Sequence, residues 1–68
     1  MNYRHGDEIE VLVDRQGLGL DEGIGHLPDE TMVVITGAGD MVGRSVQATV
    51  MTIARTPLGP SVLAYAKA

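Results

Sequence analysis

The 68-residue sequence predicts a small all-β barrel. Three observations lead there. Apolar and polar residues alternate with period two in Asp7–Asp14 and again in Arg44–Ile53, as in strands buried on one face. Nine glycines and three prolines interrupt the chain, so the elements between them must be short. No stretch carries the three-and-four apolar spacing of a helix facing a core. Five short strands that leave no edge unpaired close most simply into a barrel.

In DEIEVLVD, Ile9, Val11 and Val13 share one face while Glu8, Glu10 and Asp14 share the other, which makes this the first strand. RQGLGLDEGIGHL follows, with four glycines. Gly17 and Gly19 are expected to supply positive φ in a loop. Gly23 and Gly25 flank Ile24 on one face of a short strand, GIGHL, where a missing side chain permits close backbone approach or a bend. Leu27-Pro28-Asp29-Glu30 suits a tight turn, with proline second and aspartate third. TMVVIT (Thr31–Thr36) then returns as the third strand, forming a hairpin with GIGHL, and its continuous apolar run asks for cover on both faces.

GAGDMVG (Gly37–Gly43) is expected to cross over through a short helical turn around Asp40–Val42. The fourth strand, Arg44–Ile53, points Val46, Ala48 and Val50 inward. Its phase then slips, because Ile53 is apolar where Thr52 should face the core. A β-bulge produces that slip and lets a strand bend around a small barrel. RTPLGP (Arg55–Pro60) reads as a turn-rich loop, and SVLAYA (Ser61–Ala66) as the fifth strand.

A chain this short buries about 60% of its unfolded surface, so the fold is of marginal stability. The absence of cysteine removes disulfide staples, thiolate metal sites and thiol nucleophiles. No apolar run is long enough for a membrane span or signal peptide, so a cytoplasmic setting without a membrane partner is expected. Residues 1–5 read as a domain edge or the start of an excised piece, 6–66 as the barrel and 67–68 as a tail. Net charge is −4, unevenly placed. Residues 1–40 hold all nine acids against Arg4 and Arg15, a net −7, whereas residues 41–68 hold Arg44, Arg55 and Lys67 and no acid, a net +3. Such asymmetry hints at a surface that faces a polyanion.

Nucleotide and catalytic readings fail on spacing. VVITGAGDMVGR imitates a dinucleotide fingerprint, but Gly43 comes one residue late and an alternating strand pattern follows in place of a helix. The chain is also too short for a doubly wound half-domain. The earlier glycine run lacks the Gly-Lys-Ser/Thr ending of a phosphate loop. His5 and His26 have no partners at coordinating spacing, and no serine sits with a histidine and a carboxylate in a suggestive order. The expectation is a non-enzymatic chain with no metal and no cofactor.

The cations carry the stronger functional reading. Arg44 opens the fourth strand, Arg55 follows it and Lys67 ends the fifth. If these strands pair around RTPLGP, Arg55 lies at the hairpin tip while Arg44 and Lys67 meet at the opposite end. Thr56 and free backbone N–H groups of the loop would add phosphate donors, and Arg15 completes the candidate set. Solubilising surface charge is the bland alternative. Stacking platforms are scarce, with Tyr3 and Tyr65 the sole aromatics. Leu12, Met51, Leu63 and Tyr65 fall on outward positions, more apolar surface than a lone barrel needs, which keeps a protein-docking or self-associating module in play. A purely structural barrel that has lost its ligand is the third alternative.

The opening GDEIEV strand, the GIGHL step, the turn into TMVVI and the crossover GAGDMVGRSV, in that order and spacing over residues 6–66, resemble a TRAM domain, most closely that of bacterial PIN–TRAM proteins. The resemblance implies a five-stranded OB-like barrel that binds RNA, commonly tRNA or other structured or single-stranded RNA. It also implies a PIN-type nuclease or RNA-modifying domain as partner, in the same or another chain, with small free-standing RNA chaperones as relatives. The sequence departs from such a barrel in being acidic and nearly free of aromatics. Few cations neutralise few phosphates, so RNA binding by the isolated chain should be weak and salt-sensitive.

Overall fold

Five strands form in chain order: β1 (Glu8–Gln16), β2 (Glu22–His26), β3 (Met32–Thr36), β4 (Ser45–Thr56) and β5 (Gly59–Ala66). The computed structural model describes residues 3–57 and 59–67, with Thr56 described in its backbone alone. The strands close into a barrel in the order β1-β2-β3-β5-β4. Every neighbouring pair is antiparallel except β3 with β5, which is parallel. The all-β closed barrel read from the alternation is therefore what forms.

The interior explains the composition. Val11, Val13, Val33, Ile35, Val46, Ala48, Val50, Val62 and Ala64 fill it from four strands, each no more than 6% exposed. The inward positions of β2 are Gly23 and Gly25 instead, and neighbouring side chains take the space. A Cβ on Gly23 would lie 2.6 Å from the Ala38 carbonyl oxygen and 2.9 Å from Val13 Cγ1. One on Gly25 would run into the Leu12 carbonyl oxygen and Val11 Cγ1. These two glycines let β1 close tightly over β2, as their placement beside Ile24 suggests.

Two bulges bend the sheet. The register of β4 against β5 shifts between Val50 and Thr52, at the phase slip seen in the sequence. Strand β4 runs for twelve residues and pairs with β1 and with β5, and its bulge lets it bend round the barrel between them. A second shift, between Val13 and Arg15, carries β1 on to Gln16, two residues beyond the alternating segment.

Three expectations are corrected. Residues 37–43 contain no helical turn: the Met41 N–H donates to Ala38 O (3.1 Å) and the Arg44 N–H to Met41 O (3.0 Å), two separate reverse turns. Gly43, inside the second of them, sits at φ 86°, which no right-handed turn of helix admits. Gly17 and Gly19 are not left-handed. Gly17 instead donates to Glu22 O (2.7 Å) and gives Glu22 Cβ room, 2.9 Å from where its own Cβ would stand. RTPLGP is mostly strand, since Arg55 pairs with Pro60 and Thr56 with Gly59.

The turn over residues 27–30 forms as read, closed by the Glu30 N–H donating to Leu27 O at 2.8 Å. Glu30 is the sole non-glycine at positive φ among the described residues, at 72°. Because this conformation costs an L-residue about 1–2 kcal/mol, Glu30→Gly is expected to raise stability by about 1 kcal/mol despite the glycine's extra unfolded-state entropy. Urea unfolding followed by circular dichroism checks it, and a lower midpoint for the variant would contradict it.

Candidate nucleic-acid interface

The end of the crossover is pinned to β1 from both sides. The Gly43 N–H donates to Val13 O (2.8 Å), and the Val13 N–H donates to Arg44 O (3.0 Å). Arg44 is thereby fixed at the entrance to β4 with its side chain exposed. At the end of β5 the Lys67 N–H donates to Gln47 O at 2.9 Å, which brings the last cation back onto the same stretch of β4. The result is a cleft of about 530 Å³ lined by Met41, Arg44, Ser45, Val46, Gln47 and Lys67. Its lining offers two cations, a hydroxyl and an amide. That set suits an anionic, hydrogen-bonding chain such as a phosphodiester backbone.

Lys67 is not free within the cleft. Its Nζ donates to Glu8 Oε1 of β1 at 2.8 Å, with about half of each side chain exposed. Nothing in the sequence signals this contact between residues 59 apart. The β1–β4 register sets Glu8 beside Thr49 and Glu10 beside Gln47, so Lys67, whose N–H bonds Gln47 O, reaches Glu8 along the diagonal.

The other candidates lie elsewhere. Arg55 is exposed on β4 beside Pro60, at the far end of that strand from Arg44. Thr56 is next to it, and its side chain lies outside the described residues. Arg15, re-aimed by the β1 bulge, pairs with Ile24 and lines a second concavity of about 430 Å³ with His26, Asp29, Glu30, Thr31, Met32, Pro60 and Ser61. Arg44 and Lys67 are thus brought together, whereas Arg15 lines a different hollow whose wall includes two carboxylates, and Arg55 pairs with Pro60 away from the cleft.

That second hollow is well organised for structural reasons. His26 Nδ1 and Asp14 Oδ2 meet at 2.7 Å across the bulge. The Thr31 hydroxyl, and after it the Thr31 N–H (3.0 Å to Oδ1), hold the Asp29 carboxyl below its ordinary pKa. A depressed folded-state pKa adds stability that is present above the unfolded value and is lost as pH falls through the folded one. Asp29→Asn is therefore expected to unfold with less pH dependence between the ordinary aspartate value and this lowered one. Acid titration followed by circular dichroism reads the difference, and identical acid limbs for the two proteins would rule it out.

With its interior filled by aliphatic side chains, this small all-β barrel offers only its outside to a ligand. The chain belongs to the TRAM domain family, which matches residues 3–62. It is 36% identical to the uncharacterized PIN and TRAM-domain containing protein slr1972 of Synechocystis sp., over 91% of this chain and 19% of that relative. The chain thus spans about a fifth of that protein's length. No solved structure matches it significantly. TRAM domains are in general RNA-binding modules.

Proposed function

We propose that this chain is a non-catalytic, OB-like RNA-binding module, spanning residues 6–66, whose contact surface is the Arg44–Lys67 cleft. The observation that carries the reading is the convergence of two cations, Ser45 and Gln47 on one cleft outside a filled barrel. In this reading the module works in the cytoplasm and presents RNA, tRNA or a single strand, to a PIN-type nuclease or RNA-modifying domain, or acts alone as a small chaperone. The similarity to a PIN and TRAM-domain containing protein supports the first role. Arg55, Thr56 and Arg15 are secondary contacts for a longer RNA that wraps the barrel.

Fluorescence anisotropy of labelled tRNA and oligouridine over a salt series tests it. One full phosphate contact at Arg44 and a partial one at Lys67, which Glu8 already pairs, give a single-strand slope of log affinity against log salt between about −0.7 and −1.4, at about 0.7 per contact. Absence of binding at low salt, or binding indifferent to salt, would remove the proposal.

A second reading rests on the outer wall. Leu12, Met51 and Tyr65 are exposed, and register sets the half-buried Ile24, Val34 and Leu63 side by side across β2, β3 and β5. An apolar row of this kind suits docking on another protein surface. Sedimentation at several concentrations separates self-association from a monomer.

A further inference from the structure

An acidic barrel that binds RNA poses a problem of competition, and the geometry locates it at one residue. Strand β1 turns Glu8 and Glu10 outward, both exposed, along the flank of the cleft. Glu8 reaches Lys67 Nζ at 2.8 Å, whereas Glu10 makes no ion pair among the described residues. A carboxylate oxygen at hydrogen-bond distance from an ammonium stands where a phosphate oxygen would stand. We propose that Glu8 is the affinity-setting residue of the cleft: its carboxylate occupies the anion position at Lys67, and an RNA phosphate binds by displacing it. The inference rests on the RNA-binding reading above.

The consequences follow from exchange of one anion for another. While Glu8 holds Lys67, a phosphate arriving there gains little net Coulomb energy, so Arg44 alone supplies the full charge contact. Ligands that present neighbouring phosphates to both cations outcompete Glu8, whereas an isolated monoanion does so poorly. Removing the carboxylate frees Lys67 at a small structural cost, because exposed pairs contribute little to folding.

The experiment compares the unaltered chain with Glu8→Gln, Glu10→Gln and Lys67→Gln, using labelled oligouridine across a salt series. Glu8→Gln is expected to tighten binding by up to about fivefold, the range of an exposed ion pair. It should also steepen the salt slope by about 0.7, one additional phosphate contact. Glu10→Gln makes the same charge change on the same strand and should leave the slope unaltered. In a Lys67→Gln background the gain from Glu8→Gln should largely vanish. Equal gains from Glu8→Gln and Glu10→Gln, or a gain that survives loss of Lys67, would overturn the proposal in favour of a general charge effect. If oligouridine binds to none of the proteins, the RNA reading fails separately. Tripolyphosphate titration watched at the Lys67 amide by NMR then still decides the role of Glu8, since an unchanged affinity in Glu8→Gln would refute it.

Discussion

Gly25→Ala is expected to abolish most of the native population at room temperature. The new methyl would point into the barrel against Val11 Cγ1 and the Leu12 carbonyl oxygen. A side chain can rotate away, but the carbonyl belongs to β1, which is tied to β2 on one side and β4 on the other. Overpacking costs about 1–3 kcal/mol where neighbours can shift, and more where they cannot. At about 0.05–0.15 kcal/mol per residue, 68 residues have only about 3–10 kcal/mol in total. Gly43→Ala is the informative contrast. Nothing lies within 4 Å of a Cβ there, so its cost is the left-handed φ alone, about 1–2 kcal/mol. Urea unfolding should rank Gly25→Ala far below Gly43→Ala. A reversed order would mean that β1 and β2 do not approach as described.

The second large effect concerns binding. Arg44→Glu combined with Lys67→Glu should weaken RNA affinity by roughly two orders of magnitude at low salt. A charge contact near 4 Å in water is worth about 1 kcal/mol, and reversal both removes it and adds a repulsion of like size. Arg44 then accounts for about 2 kcal/mol and Lys67, whose charge Glu8 already pairs, for about 1 kcal/mol, together about 3 kcal/mol, each 1.4 kcal/mol being tenfold. Both side chains are exposed, so the barrel should fold as before. Arg15→Glu makes a similar change in the hollow that already holds Asp29 and Glu30. It is expected to weaken binding several-fold at most. Losses in proportion to the charge changed, with Arg15→Glu losing half as much log affinity as the double variant when measured by anisotropy, would show that total charge and not the cleft governs binding.

Much of this fold is legible in the sequence because it rests on period-two alternation. Val11 and Val13, Val46 through Val50, and the Ile53 phase slip each report which way a side chain must face. The absence of side chains at Gly23 and Gly25 likewise marks where strands come closest. Strand ends are less legible. Arg15, Gln16, Arg55 and Thr56 are polar, so nothing in their hydrophobicity reveals that they continue β1 and β4. The crossover misleads for a related reason: Asp40, Met41 and Val42 could close one turn of helix, and only the left-handed Gly43 and the bonds to Val13 force two reverse turns instead.

The candidate site divides in the same way. That Arg44 and Lys67 meet follows from pairing two recognisable strands, so counting along β4 and β5 suffices. The Glu8–Lys67 and Asp14–His26 contacts depend on how β1 registers against β4 and β2, which alternation leaves open because shifting by two residues preserves every face. The bulge at residue 14 adds a further offset with no apolar phase slip to announce it.

RNA is proposed to lie in one particular cleft outside the barrel. NMR titration of the isotope-labelled chain with oligouridine at low salt tests this most directly. Amide shifts are predicted to concentrate at Met41, at Arg44 through Gln47 and at Lys67, and to fade as salt rises. Shifts spread evenly over the barrel, or gathered on the acidic strands β1 and β2, would contradict it.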